Sequence, residues 1–302
     1  MTILITGGTG LVASHLTALL ASKGHTVRLL SRTRFQHLSA EVFEWDIKKG
    51  YIETGAFDDV EVVFHLAGAG VADKKWSANR KKVIYDSRIQ STRLLHQKMA
   101  DLTQKPKAFI CASAIGYYGY RDFDHWSTEE DTTGTDFLAE VTLDWEKEAD
   151  KIADLGMRLV KPRIGMVLSD RGGALQKMAQ PVRMLVGAPL GSGRQICNWI
   201  HVDDLVHMME HFMLDPKTSG AYNAVGPNPI TNAHLTEVIA KAMRRPLWLP
   251  NVPAFVLKWI LGEMSIIVLE GHHVSNQKVL DSGFSFKYQQ ADQAVEDILS
   301  IG

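Results

Sequence analysis

Short β-branched runs alternate with longer stretches of helical spacing through the first half of the chain. Ile3-Leu4-Ile5 is followed by Leu11 to Lys23, where Leu16, Leu19 and Leu20 recur at helical spacing and Gly24 supplies a stop. Val27 to Leu30, Val42 to Trp45 and Val60 to Leu66 read as further strands. Ala78 to Leu102 predicts a long helix and Ala108 to Ala112 a buried strand. Phe137 to Leu155 predicts a helix closed by Gly156, and Arg158 to Val160 begins another strand. This alternation predicts βαβ units and a mostly parallel sheet covered on both faces.

After about Lys161 the rhythm changes. Gly- and Pro-bearing loops appear around Gly172-Gly173, Gly187 to Gly193 and Gly226 to Pro229. Between them Trp199 to Val202 reads as a strand and Val202 to Leu214 as a helix. The tail offers helical stretches at Asn232 to Met243, Pro253 to Ile260 and Ala291 to Leu299. The pattern predicts a large α/β unit over residues 1–163, rejoined by 198–224. A smaller α/β cap is expected from 164–197 and 225–302, packed by Trp248, Phe255, Trp259, Ile266, Ile267 and Leu269, with a dimer or membrane-surface contact as their other reading.

Composition narrows the class. Of 302 residues, 45% are hydrophobic and 22% charged, enough to bury a sizeable core and too apolar for disorder throughout. The 33 Lys+Arg nearly cancel 34 Asp+Glu, a net charge of −1. That balance argues against nucleic acid as the main partner, because phosphate backbones need an electropositive field. Two cysteines, Cys111 and Cys197, are too few for a disulfide framework or a thiolate metal site, and the adjacent His272-His273 lack ligand spacing. Met1 to Thr6 reads as a strand rather than a secretory leader. The apolar stretch Leu247 to Leu269 is broken by Pro250, Pro253, Lys258 and Glu263, which argues against a membrane span. A cytoplasmic protein without a metal is the expectation.

The segment Thr6-Gly7-Gly8-Thr9-Gly10-Leu11-Val12-Ala13 joins the first strand to the first helix. Gly8-x-Gly10-x-x-Ala13 fits the dinucleotide fingerprint in its G/A form, and Gly7-x-x-Gly10-x-x-Ala13 fits a related spacing. Either way, glycines allow the tight turn and let the backbone approach a pyrophosphate at the positive end of the helix. Gly7, Gly10, Leu11 and Val12 are therefore candidate cofactor contacts. The second strand ends at Ser31-Arg32-Thr33-Arg34, and no acid precedes Glu41. An NAD site places Asp or Glu there for the ribose hydroxyls. Ser31 and Arg32 instead suit a 2′-phosphate, so NADP is the expected cofactor, with Arg34 a solvated neighbour. Asp46 is either a hydrogen-bond partner for adenine or a turn-forming residue.

These residues resemble the extended short-chain dehydrogenase/reductase superfamily and, more narrowly, an uncharacterised epimerase-like subgroup of the NAD-dependent epimerase/dehydratase family. The resemblance rests on Ile5 to Gly10, His65-Leu66-Ala67-Gly68, Asp86-Ser87-Arg88, Ser113 to Gly119 and Arg171 to Ala174. It continues through Pro189 to Gln195, Trp199 to Leu205 and Asn223 to Pro229. It implies a Rossmann doubly wound parallel sheet with a C-terminal substrate cap, and NADP held across the carboxyl ends of the strands. Leu66 and Ala67 would then touch the cofactor's ribose, Arg88 would reach the cofactor, and Ile164 would lie near the nicotinamide. Gly68 fits the same picture, since a small residue after a buried strand admits a ligand. A surface salt bridge is the other reading of Arg88.

Catalysis in the superfamily resembles a Ser/Thr–Tyr–Lys arrangement, in which a Tyr exchanges a proton and a nearby Lys lowers its pKa from about 10. The Tyr and Lys come as Tyr-x-x-x-Lys at the start of the helix after the fifth strand. Here Phe137 and Val141 stand in those positions, and neither transfers a proton. Ser113 and Tyr117 remain as catalytic candidates, with Tyr118, Asp136 and Glu140 as alternatives. Aromatic packing beside the cofactor is the other reading of the tyrosines.

In the second half, Gly191 to Gln195 resembles the loop over the substrate nucleotide in nucleotide-sugar epimerases; Arg183 and Arg194 are candidate anion contacts, with surface solvation the first reading of Arg183. His201, Asp203 and Asp204 read first as structural, with Asp203 or Asp204 capping the helix that follows. Lys74-Lys75 and Arg80-Lys81-Lys82 form a basic run, a solvated helix face or a phosphate-steering surface. The function expected is an NADP-dependent oxidoreductase or epimerase-like enzyme on a small hydroxyl or carbonyl substrate, nucleotide-linked in one version. The alternative is a non-catalytic NADP-binding redox sensor or scaffold, since some relatives carry a cell-division label.

Overall fold

The computed structural model describes residues 1–299. Its main strands are β1 (Thr2–Thr6), β2 (Thr26–Ser31), β3 (Glu41–Asp46), β4 (Tyr51–Ile52) and β5 (Val60–His65). They are followed by β6 (Ala108–Cys111), β7 (Ser113–Ala114), β8 (Arg158–Ile164) and β9 (Gly220–Ala224). These nine form one sheet in the order β9-β8-β6-β5-β1-β2-β3-β4, with β7 beside β8. All pairings are parallel except β3 with β4. The principal helices are α1 (Leu11–Ser22), α2 (Ala78–Ala100), α3 (Phe137–Ala153) and α4 (Gly173–Arg183). Then come α5 (Val202–Leu214), α6 (Asn232–Ala242), α7 (Ala254–Leu261) and α8 (Ala291–Leu299).

The strands are apolar on both faces because both faces are covered. Ile3, Ile5, Leu29 and Phe64 meet Leu16 and Leu20 of α1 and Leu205, Met209 and Phe212 of α5. Leu4, Leu30, Val63 and Phe109 point the other way, toward Leu95 and Met99 of α2 and Trp145 and Ile152 of α3. The alternation along β1 thus splits the core into two layers, which makes the sheet doubly wound. A third cluster gathers α4, α6 and α8 around Trp199. Packing crosses the division expected at residue 225: Val279, Phe284 and Phe286 lie in the same cluster as Phe212 and Tyr222.

Two local expectations are corrected. The cap of α5 is His201, whose Nδ1 accepts from the Asp203 amide at 3.0 Å. Asp204 is turned away, accepting from the backbone N–H groups of Lys287 and Tyr288 at 2.8 and 3.1 Å. Nor do Trp248, Phe255 and Trp259 fill the cap, for they are 66%, 73% and 83% exposed. For Phe255 and Trp259 the reason is local: α7 buries only Leu257 and leaves its other side to solvent, while Trp248, ahead of that helix, is tied to the Leu185 carbonyl at 2.9 Å. Among the described residues, no helix is long and apolar enough to cross a membrane.

Candidate functional site

The carboxyl ends of β1 and β5 are tied together from below. The Thr6 hydroxyl oxygen accepts from the amides of Leu66 and Ala67, each at 3.1 Å, so its proton is left for His65 Nδ1 at 2.8 Å. His65 Nε2 then carries the ring proton and meets Thr92 Oγ1 at 3.0 Å. Burial, reinforced by the Arg88 charge, pushes the His65 pKa down to about 3, so the ring is neutral. This knot sets Leu66-Ala67-Gly68 against the glycine loop.

Within that loop Gly7 has φ +74°, and a Cβ on it would stand 3.0 Å from Ala67 Cα. Only glycine fits both the conformation and the approach. The N-cap of α1 is Gly10, which supplies no side-chain cap, and no acid sits in the first turn formed by Leu11, Val12 and Ala13. The helix therefore presents uncompensated N–H groups to the space above the loop, as an anion site requires.

At the end of β2, Ser31 is buried, whereas Arg32 is exposed and has no ion-pair partner among the described residues. Arg34 is paired with Glu53. The loop from Arg34 to Val42 lines an open depression of about 860 Å³. Asp46 forms a turn, its Oδ1 accepting from the Lys48 and Lys49 amides at 2.9 and 3.2 Å. Arg88 has no carboxylate partner among the described residues, which sets aside the surface salt bridge. Its Nη1 donates to the carbonyls of Ala69 and Ile84, both at 3.0 Å, and its guanidinium carbon lies 5.1 Å from the Trp145 ring. A Cβ on Gly68 would stand 3.1 Å from that carbon. Burial, with Arg80 nearby, lowers the Arg88 pKa to about 10, still cationic at neutral pH.

The residues around the ends of β7 and β8 are closely paired. Ser113 is buried and donates its hydroxyl to Glu146 Oε1 at 2.6 Å, so its proton is not turned toward a substrate oxygen. Arg163 forks the same carboxylate, Nε to Oε1 at 2.8 Å and Nη2 to Oε2 at 3.0 Å. Burial opposes ionisation of Glu146, but the Arg163 fork outweighs it and holds the carboxyl below its ordinary pKa. Arg163 Nη1 donates to the Tyr118 hydroxyl at 3.0 Å, and that hydroxyl donates to Asn223 Oδ1 at 2.6 Å. Burial pushes the Tyr118 pKa up to about 12, a weaker acid than an ordinary phenol, and its proton is already given to Asn223. Tyr117 stacks its ring 3.5 Å from the Arg163 guanidinium carbon, and its hydroxyl has no partner among the described residues. Ile164 ends β8 between Ala114 and Ala224. Asp136 is spent as the cap of α3, accepting from Leu138 and Ala139, while Glu140 is exposed.

Glu146 and Arg163 were not singled out from the sequence. A signal exists for Glu146, which shares the buried stripe of α3 with Ala139, Thr142 and Ala149, a carboxylate at apolar spacing.

Fold and site together define a Rossmann-type nucleotide-binding α/β protein with a C-terminal cap. The chain belongs to the NAD dependent epimerase/dehydratase family, whose model matches residues 3–226, and a domain of unknown function (DUF1731) matches residues 252–298. It is 34% identical over 302 residues to the epimerase family protein YfhF of Bacillus subtilis, covering 99% of this chain and 98% of that one. Among solved structures it is similar to the human epimerase family protein SDR39U1 with NADPH (TM-score 0.88, 28% identity, 99% of each chain). A nucleoside-diphosphate sugar epimerase from Corynebacterium glutamicum also matches, at TM-score 0.81 and 30% identity, over all of this chain and 58% of that one.

Proposed function

We propose that this chain binds NADP(H) and exchanges a hydride with a small hydroxyl or carbonyl substrate held under the cap. One observation carries the cofactor reading: Arg32, exposed and unpaired among the described residues, stands where an NAD site carries an acid. The NADPH in the human relative supports it. Gly7, Gly10, Leu11 and Val12 would hold the pyrophosphate. Ser31 and Arg32 would hold the 2′-phosphate, Asp46 the adenine end, and Leu66, Ala67, Gly68 and Arg88 the ribose side, with Ile164 beside the nicotinamide. The cofactor supplies a hydride donor or acceptor, and the protein's part is to fix the substrate oxygen. Tyr117 is the candidate for that oxygen, since its hydroxyl is free and Arg163 lies on its ring. Ser113 supports the site through Glu146 rather than by direct contact. A nucleotide-linked substrate is the version suggested by the Gly191 to Gln195 loop.

A second reading, an NADP-binding sensor or scaffold without turnover, is favoured by the committed Ser113 hydroxyl and by Phe137 and Val141 in place of the usual pair. Two measurements decide. NADPH should bind more tightly than NADH, and Arg32→Ala should cost NADPH about ten- to a hundredfold while leaving NADH unchanged. Equal affinities would sink the cofactor reading. Screening carbonyl and nucleotide-sugar compounds for NADPH oxidation separates the enzyme from the sensor, and turnover indifferent to Tyr117→Phe removes Tyr117 from the site.

A further inference from the structure

Lys81, in the first turn of α2, directs its ammonium at the start of α3. The nitrogen lies 4.9 Å from the ring centre of Phe137 and 5.9 Å from that of Trp76. Those two rings meet edge-on at 5.1 Å. Glu263, from the turn after α7, forms an ion pair with Lys81. Beside it, Gly262 lies against the aliphatic stem of Lys75, where a Cβ would stand 2.9 Å from Lys75 Cε. The C-terminal segment thus reaches the start of α3 through a carboxylate, beside Phe137, the residue that the family resemblance sets in the place of the usual tyrosine.

The pairing is incomplete. An ammonium has three N–H donors, and Glu263 is its sole protein acceptor among the described residues. The Lys81 side chain is 28% exposed and that of Glu263 59%, so the pair opens to solvent on the carboxylate side. An ion pair of that exposure contributes little to stability, so another anion can replace it. The two aromatic faces, by contrast, hold the cation in place without taking its proton. We propose that Lys81 anchors an anionic oxygen group of the substrate, a carboxylate or a phosphate, and that Glu263 occupies that position until the substrate arrives. The proposal rests on the cofactor-binding reading, because it places the anchor at the substrate end of the same cleft.

The test uses the full chain saturated with NADPH, which keeps added anions off Arg32. Calorimetric titration with inorganic phosphate, and separately with malonate, tells a phosphate subsite from a carboxylate one. One of the two should bind, and Glu263→Gln should strengthen it about two- to fivefold by removing the competitor. Lys81→Met should abolish the response with NADPH affinity unchanged. Binding of neither anion to the wild type, or equal binding to the Lys81→Met protein, overturns the proposal. If Lys81→Met does not fold, Glu263→Gln decides alone, and no gain in affinity there counts against it. NADPH binding with no anion response defeats this inference only. Failure of NADPH itself to bind defeats the reading beneath it as well.

Discussion

At the end of β2, Arg32 stands exposed with no carboxylate among the described residues, and Arg88 meets only backbone carbonyls and an indole face. At the end of β8, Arg163 is buried, forked on Glu146 and hydrogen-bonded to Tyr118. All three are arginines at or near the carboxyl edge of one sheet, yet they do different work. A cation as enclosed as Arg163 would destabilise the fold if it lost its counter-charge. A cation left without one is free to meet a ligand's charge. Partnership, rather than residue type, separates an arginine that braces the protein from two that have no carboxylate partner among the described residues.

The sharpest way to break that contrast is Arg163→Met. It leaves the buried Glu146 only the Ser113 hydroxyl and Lys161, whose Nζ lies 3.5 Å from Oε2, and should cost about 3 kcal/mol of stability, read as a lower urea midpoint. A midpoint near wild type would put Arg163 with the arginines that do without a carboxylate. A smaller effect comes from pH. The fold keeps His65 neutral, with its pKa at about 3 against an ordinary 6.5. Above 6.5 neither folded nor unfolded chain holds the extra proton. Below 6.5 the unfolded chain takes up a proton that the fold refuses, so stability falls as the pH drops toward 3. This group's slope approaches about 1.4 kcal/mol per pH unit. Urea midpoints at pH 7 and pH 5 should therefore separate in the wild type more than in His65→Asn. The smallest effect sharpens the other side: Arg32→Ala should move stability by less than about 0.5 kcal/mol despite its effect on NADPH.

How much was legible follows the same line. The periodic elements were readable because strand and helix spacing is local. Val27 to Leu30 and Ala291 to Leu299 lie within or match the observed β2 and α8. The glycine loop was readable because its need is written into adjacent residues. Pairs of two-residue strands, such as Ile196–Cys197 with Ile230–Thr231, are too short to leave a period. Glu263 and Lys81 are far apart in the chain, and no spacing rule joins them. The same limit explains Phe255 and Trp259: hydrophobicity identified candidates for burial, but only the docking of α7 decides which side faces solvent.

The strand β9 and helix α5 complete the larger unit only with help from far downstream. Val279, Phe284 and Phe286 cover Phe212 and Tyr222, Lys278 Nζ donates to the Ala221 carbonyl at 2.8 Å, and the 287–288 backbone binds Asp204. During synthesis, then, the nucleotide-binding half leaves the ribosome with an apolar flank still bare. It stays so until residues past 277 emerge to cover it, which makes the stretch between residues 226 and 277 the interval in which a chaperone has something to hold.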